Sequence, residues 1–126
     1  KRIMQLTKNF HLAEFACRDG SPVPENKIPV VQELANNLQV LRDDIGEAIH
    51  INSAYRTIAY NKKIGGAKDS QHPKCTAADI TAKSFTPKQL AARIEKLIKE
   101  GKMKQGGLGI YPGFVHTDIR GTKARW

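Results

Sequence analysis

The sequence predicts a domain that mixes helices with a small number of strands. Two segments carry apolar residues at helical spacing between recognisable helix ends, and shorter segments alternate in polarity or are rich in β-branched residues. The 126 residues are the length of one domain, so we take residues 1–126 as a single unit. The predicted helices cover residues 29–46 and 86–100, and the predicted strands cover residues 48–54, 77–82 and 114–120.

The two long helices are predicted from their ends as well as from their spacing. Pro29 suits a first helical turn, where its missing N–H is not needed, and Gly46 is a natural C-terminal stop. The second helix begins at Thr86 with Gln89 three residues later, which is the pattern of a capping box. The apolar stripe of the first helix consists of Val30, Val31, Leu34, Leu38, Leu41 and Ile45.

Shorter elements are predicted at three further places. Residues 9–15 predict a short helix with Asn9 as its N-cap, after an extended opening over residues 1–8. Residues 58–64 predict another short helix, which a pair of glycines ends. We expect Trp126 to pack as a lid or as an anchor at the edge of the sheet.

The first predicted strand, residues 48–54, alternates clearly. Ile49 and Ile51 point to one side, and His50 is expected to face solvent on the other. Arg56 follows directly, and the end of a strand is a rigid support for a functional side chain. Its spacing leaves two interpretations open, an anion clamp or an ordinary surface arginine.

The two later strands carry chemically active side chains. Asp79 lies in an apolar stretch, and a buried carboxylate without a partner costs several kcal/mol, so a metal ion or a buried arginine must accompany it. On the last strand, alternation places His116, Asp118 and Arg120 on one face. Three such side chains on one face indicate a functional surface.

His72, Asp79 and His116 form a candidate zinc ligand set. Two neutral imidazoles and a carboxylate, with the fourth position left to water, are typical of catalytic zinc. The His-Glu-x-x-His pattern of a one-helix metalloprotease is absent, so the ligands come from a loop and two strands. Residues 106–113 predict a glycine-spaced strand and turn. This segment lacks the Lys-Ser/Thr ending of a phosphate loop, and its glycines instead predict close backbone approach.

Composition narrows the functional classes. The net charge of +9 favours either solubility or attraction to a polyanion, but no basic stripe interleaved with aromatic residues appears, so we predict no nucleic-acid partner. No apolar run approaches about 18 residues, so no transmembrane segment is predicted, and no signal peptide is visible. Cys17 and Cys75 either pair or are small buried residues, and Cys75 could also be a stray thiolate ligand.

Four motifs are characteristic in combination. They are Ser53-Ala54-Tyr55-Arg56, Ser70-Gln71-His72, Ala77-Ala78-Asp79-Ile80 and Phe114-Val115-His116-Thr117-Asp118-Ile119-Arg120. In these motifs the chain resembles the short single-domain branch of the zinc D-alanyl-D-alanine carboxypeptidase family. That family shares a superfamily with lysostaphin-type peptidases and the hedgehog signalling domain. The resemblance covers nearly the whole chain.

The resemblance implies that His72, Asp79 and His116 bind Zn²⁺ on an α+β fold, in which helices pack a small antiparallel sheet that carries the metal. It implies hydrolysis of peptide bonds in bacterial peptidoglycan, by a D-Ala-D-Ala carboxypeptidase or by an endopeptidase of the endolysin type. The expected protein is a monomer with peptidoglycan peptides as partners. Its expected place is the periplasm or the cell wall outside the membrane, or it is a phage-encoded endolysin.

The resemblance also suggests roles for residues around the metal. Arg56 would steady the substrate carboxylate or the oxyanion. The best-known family members carry an acidic general base three residues before the last zinc histidine, where this chain has Gly113. Asp118 is the nearest remaining acid, and it would act either as general base and then acid or as an orienting partner of a ligand. The substrate contacts would be Ser70, Gln71 and Arg120.

A second departure from the family is Cys75, where glycine is usual. A side chain at this position can alter the path of the loop between His72 and Asp79. The missing upstream acid keeps an alternative function open, a non-catalytic module of the same fold that binds cell-wall peptides.

Overall fold

The computed structural model describes residues 4–126, in which three α-helices are interleaved with five strands. The α+β class predicted from the sequence is therefore confirmed. The first three residues of the predicted extended opening lie outside the described residues. The helices are α1 (Ile28–Ile45), α2 (Ile58–Lys63) and α3 (Pro87–Lys99); the strands are β1 (Ile49–Ser53), β2 (Ala77–Ala82), β3 (Gly107–Ile110), β4 (Val115–Asp118) and β5 (Ala124–Arg125).

The strands form one sheet in the order β1-β2-β4-β3-β5. The first four strands pair antiparallel, as expected, whereas β5 pairs parallel with β3, so the sheet is mixed. The chain reverses direction after β4 and passes to the far side of β3. β5 consequently runs opposite to β4 and in the same direction as β3.

The two long helices have the ends that the sequence predicts. Gly46 takes the left-handed conformation after α1, and its N–H donates to the Arg42 carbonyl. Thr86 accepts a hydrogen bond from the Gln89 amide, while the Gln89 side chain accepts one from the Thr86 amide, which completes the capping box. Both helices bury their apolar faces in one core with the inward side chains of the strands.

The short helix near the start differs from its prediction. It is a 3-10 helix over Leu12–Phe15 that follows His11, so the prediction that Asn9 is its N-cap was wrong. Asn9 instead exchanges two hydrogen bonds with the Gln39 side chain on α1, one from its amide N–H and one to its side-chain oxygen. A partner thirty residues away, rather than the local helix, satisfies Asn9.

The glycines before and within β3 allow the close approach that the sequence predicts. A Cβ at Gly107 would overlap the Asp118 carboxylate, and a Cβ at Gly109 would overlap the Trp126 indole. Only a residue without a side chain leaves room for these two groups. The glycine spacing thus shapes β3, which lies between β4 and β5 in the sheet.

Both cysteines are buried and free, so they act as small core residues rather than as a disulfide. Cys75 follows the 3-10 helix His72–Lys74 with φ of 65°, in the left-handed region that favours glycine. This conformation explains why a glycine would suit the position. Cys75 is also outside the ligand cluster described below.

We expect the native protein to resist thiol reagents. Burial raises the pKa of the Cys75 thiol to about 11, so the reactive thiolate is scarce near neutral pH, and almost no surface of either cysteine is exposed. Labelling with a chromogenic disulfide at pH 8 should be at least about 100-fold slower in the native state than in denaturant, where both thiols react. Rapid labelling of one thiol in the folded state would contradict this assignment.

Candidate metal centre

The three predicted ligands meet where β2 and β4 run side by side. Asp79 on β2 is paired with His116 on β4, and paired residues of adjacent strands project from the same face of a sheet. His72 opens the 3-10 helix His72–Lys74, which leads into β2. All three side chains are buried. The register of two strands therefore joins groups that are 37 residues apart in sequence.

The distances within this cluster match a tetrahedral metal site. The Asp79 Oδ1 atom lies 3.2 Å from His72 Nε2 and 3.2 Å from His116 Nδ1. One ligand atom from each residue lies within 4.8 Å of the other two. Ligands bound to zinc at 2.0–2.1 Å in a tetrahedron are about 3.3 Å apart, so the cluster could close around one ion with little movement.

The hydrogen bonds around the cluster fix the tautomer of each histidine. His72 Nδ1 lies 2.7 Å from the Ala54 carbonyl, which can only accept, so Nδ1 carries the proton and Nε2 offers a lone pair. His116 Nε2 lies 2.7 Å from the Asp118 carboxylate, whereas Nδ1 lies 3.2 Å from Asp79, so in the neutral ring the shorter contact holds the proton and Nδ1 offers a lone pair. Three lone pairs, including that of Asp79 Oδ1, then face one point. Such an arrangement requires a cation or an added proton between them, and its donor set fits zinc.

Asp118 lies behind His116, on the side of the imidazole away from the cluster. Its Oδ2 accepts from His116 Nε2 and from Arg120 Nη2, at 2.7 and 2.8 Å. Its Oδ1 accepts from the Gly107 amide and from the Arg120 backbone and side chain. The side chain is completely covered and does not line the pocket. Of the two roles that the sequence left open, this geometry favours orientation of His116 over proton transfer in the pocket.

The charges of these buried groups depend on their partners. Burial raises the pKa of Asp79. In the metal-free protein, where an added proton takes the place of a cation, hydrogen bonds from the His116 and His72 imidazoles outweigh this effect and lower the pKa to about 2. Burial also raises the pKa of Asp118, but the hydrogen bonds from His116 and Arg120 outweigh it and hold the pKa well below its usual range. Both carboxylates are therefore ionised at neutral pH, as metal binding and tautomer control require.

Arg56 is the second partner of Asp79. Its guanidinium donates to Asp79 Oδ2 at 3.2 Å, to Asn61 Oδ1 at 3.1 Å and to Ser53 Oγ at 3.2 Å. The sequence left a metal ion and an arginine as alternative partners of Asp79, and the carboxylate has room for both. One oxygen faces Arg56 and the other faces the imidazoles. Two of the five N–H groups of Arg56 remain for a ligand.

A pocket of about 650 Å³ opens over the cluster. The predicted substrate contacts Ser70, Gln71 and Arg120 line it, as does Arg56. The Ser70 hydroxyl also accepts from the His72 amide, and the Gln71 side-chain oxygen accepts from the Thr76 hydroxyl. The other lining residues are Ile64, Gly65, Gly66, Ala67, Lys68, Asp69, His72, Asp79, Tyr111, Phe114, His116 and Trp126.

Sequence reasoning missed two supports of the site. The Ala54 carbonyl, which orients His72, has no side-chain signal at all. Asn61, which joins Arg56 to the Ala67 carbonyl, is a buried polar residue on α2 that periodicity alone does not distinguish. His50 lies outside the site and is exposed, as predicted.

We expect zinc affinity to fall as the pH is lowered from 8 to 6. Burial lowers the pKa of His116, but hydrogen bonds to Asp118 and Asp79 outweigh it and raise the pKa above 6.5. The metal-free protein then holds a proton that zinc must displace, so affinity drops by up to about tenfold per pH unit below that pKa. Competition with a fluorescent zinc indicator at several pH values measures this dependence.

The stability of the metal-free protein should show the opposite trend. A raised histidine pKa stabilises the folded state below the unfolded pKa of about 6.5, and this contribution is lost as the pH rises through the folded pKa. Thermal unfolding of chelated protein at pH 6 and pH 9 tests it. In the affinity measurement described above, equal zinc affinity between pH 8 and pH 6 would exclude a protonated His116 in the metal-free state.

Comparison with known proteins agrees with this geometry. The family model described as Peptidase M15 matches residues 8–118, which include every residue of the ligand cluster. A comparison with curated proteins finds no match. None of the helices within residues 4–126 is long and apolar enough to cross a membrane. The match covers most of the chain, and the protein therefore belongs to the peptidase M15 family.

Proposed function

We propose that the protein is a zinc-dependent peptidase that hydrolyses peptide bonds in bacterial cell-wall peptidoglycan. The observation that carries this proposal is the convergence of three lone pairs, from His72, Asp79 and His116, at the floor of an open pocket. These three residues would hold a zinc ion, which would supply Lewis acidity for the scissile carbonyl and activate a water molecule near neutral pH. The membership of the M15 family supports the same class of reaction.

The chain's own residues would hold and orient the reactants. Asp118 fixes the His116 tautomer and so keeps Nδ1 unprotonated for the ion. The free N–H groups of Arg56 are placed to steady a substrate carboxylate or a developing oxyanion beside Asp79. Arg120 lines the same pocket and, once its bonds to Asp118 are made, retains N–H groups for the substrate.

The experiment combines metal analysis with identification of products. Purified protein should contain about one zinc ion per chain and should release peptides from isolated peptidoglycan, with loss of activity in chelator and recovery on adding zinc. The masses of the products distinguish loss of a terminal D-alanine from cleavage within a peptide or a crosslink. Metal-bearing protein that releases nothing from several wall preparations would contradict the proposal.

One observation favours a second candidate, a non-catalytic module that binds wall peptides. Gly113 replaces the usual acid, and Asp118 is fully occupied behind His116. Besides Asp79, the pocket is lined, within the described residues, by one other carboxylate that could act as a general base, that of Asp69, which is exposed on the loop before His72. Wall-peptide binding that requires zinc, without any hydrolysis, would identify this alternative.

A further inference from the structure

Three aromatic side chains form one wall of the metal pocket. Tyr111 and Phe114 stack with their ring centroids 4.5 Å apart, and the Trp126 indole N–H donates to the Tyr111 hydroxyl at 2.6 Å. Tyr111 is 36% exposed and Trp126 is 48% exposed. We call Tyr111, Phe114 and Trp126 the aromatic wall. The ligand cluster and the hydrogen bonds of Asp118 include none of these three side chains.

The aromatic wall is held in place before any ligand arrives. The Trp126 backbone bonds to Leu108 and Ile110 on β3, and Gly109 leaves the space in which the indole rests. The indole lies 4.9 Å from the His116 ring, and the Arg120 guanidinium lies 5.5 Å from the indole. A rigid aromatic surface loses little conformational entropy on binding, so a half-exposed indole held this firmly suits ligand recognition.

The chemistry of the wall restricts what can bind to it. Aromatic faces pair with ligand surfaces that are apolar but carry polar groups at their edges. Peptidoglycan peptides consist mostly of small or charged residues, which offer no large flat face. Their attached pyranose sugars do, because ring C–H groups lie on the faces and hydroxyl groups lie at the rim. A pocket of about 650 Å³ is in the range of drug-sized ligands, which leaves space beyond a short peptide tail.

We propose that Tyr111, Phe114 and Trp126 bind a pyranose ring of the glycan and determine specificity for peptides that are still attached to their saccharide. The proposal rests on the function proposed above. The sugar face would pack against the aromatic wall, in the same pocket that Ser70 and Gln71 line. The peptide would then extend toward His116 and the other ligands.

The sequence supplies a direct probe, because Trp126 is its only tryptophan. The disaccharide of N-acetylglucosamine and N-acetylmuramic acid, titrated into zinc-loaded protein, should shift the intrinsic fluorescence in a saturable manner. Tyr111→Leu should weaken this binding at least fivefold. Phe85→Leu is the matched control, since Phe85 packs under Arg93 away from the metal pocket, and it should bind as the wild type does.

A kinetic comparison separates the two proposals. Wild-type kcat/KM should be at least tenfold higher for a disaccharide-linked peptide than for the same peptide alone, and Trp126→Leu should lower that ratio toward one. Equal kcat/KM values for the two peptides, with no fluorescence change, would overturn sugar binding by the aromatic wall and leave the proposed peptidase activity in place. Sugar binding without cleavage of either peptide would overturn only the peptidase. A preference for an N-octanoyl peptide instead of the saccharide would replace the sugar by an apolar occupant.

Discussion

Replacing His72 with alanine is expected to lower kcat/KM for wall-peptide hydrolysis by about 10³-fold or more and to abolish stoichiometric zinc binding. Metal catalysis contributes several kcal/mol of transition-state stabilisation, and about 4 kcal/mol corresponds to a factor of 10³. His72 is one of the three residues of the candidate metal cluster, so its loss should leave Asp79 and His116 with an incomplete coordination shell. Inductively coupled plasma analysis and peptidoglycan digestion measure both effects.

Zinc is expected to stabilise the folded wild-type protein, and the same variant should lose this effect. An ion that binds only the native state at 1,000 times its Kd contributes about 4 kcal/mol, so the wild-type melting temperature should rise with zinc and fall with chelator. His72→Ala should melt at one temperature in both conditions. His50→Ala is the matched control, because His50 is exposed on β1 outside the cluster. A His72→Ala protein that still bound one zinc and remained active would contradict the assigned site.

Replacing Asp118 with asparagine is expected to weaken zinc binding by about 10- to 100-fold, the range found when an outer partner of a ligating histidine is removed. Asparagine keeps the shape but loses the charge that fixes the His116 tautomer and pairs with Arg120. Zinc titration of the variant measures the loss. Because Asp118 is wholly buried among its partners, its replacement can disturb folding, and circular dichroism establishes whether the variant folds.

Activity of the same variant at saturating zinc distinguishes the two roles of Asp118. An orienting residue should allow hydrolysis to recover to within about tenfold of the wild type once the metal is restored. A general base should leave a deficit of about 10²- to 10⁴-fold at any zinc concentration. Asp43→Asn, on the exposed face of α1, serves as the control for loss of a carboxylate. A persistent large deficit in Asp118→Asn would overturn the orienting role, and full recovery would make Asp69→Asn the next variant to assay.

The parts of the fold that the sequence predicted well are those that depend on neighbouring residues. The ends of α1 and α3 follow from Gly46 and from the pairing of Thr86 with Gln89, groups separated by at most a few positions. The boundaries of β2 follow from a short apolar run between turn residues. Such signals fail when a distant partner competes, as Gln39 does for Asn9.

The candidate site also has a part that the sequence predicted and a part that depends on tertiary contacts. The residue types at His72, Asp79 and His116 pointed to a metal centre because few other roles suit two imidazoles and a buried carboxylate. The spacing along the chain did not say which nitrogen of each imidazole faces the cluster, nor that Arg56 shares the Asp79 carboxylate. Those facts depend on the Ala54 carbonyl and on the pairing of β2 with β4.

By itself, the sequence determined the class of fold, the ends of the long helices and the choice of the three residues that form the candidate metal cluster, because these depend on local propensity and on side-chain chemistry. Only the tertiary structure decided the parallel course of β5, the enclosure of Asp118 behind His116 and the placement of Trp126 over Gly109. Each of these depends on contacts between segments that no local pattern records, since strand register and burial are properties of the assembled sheet.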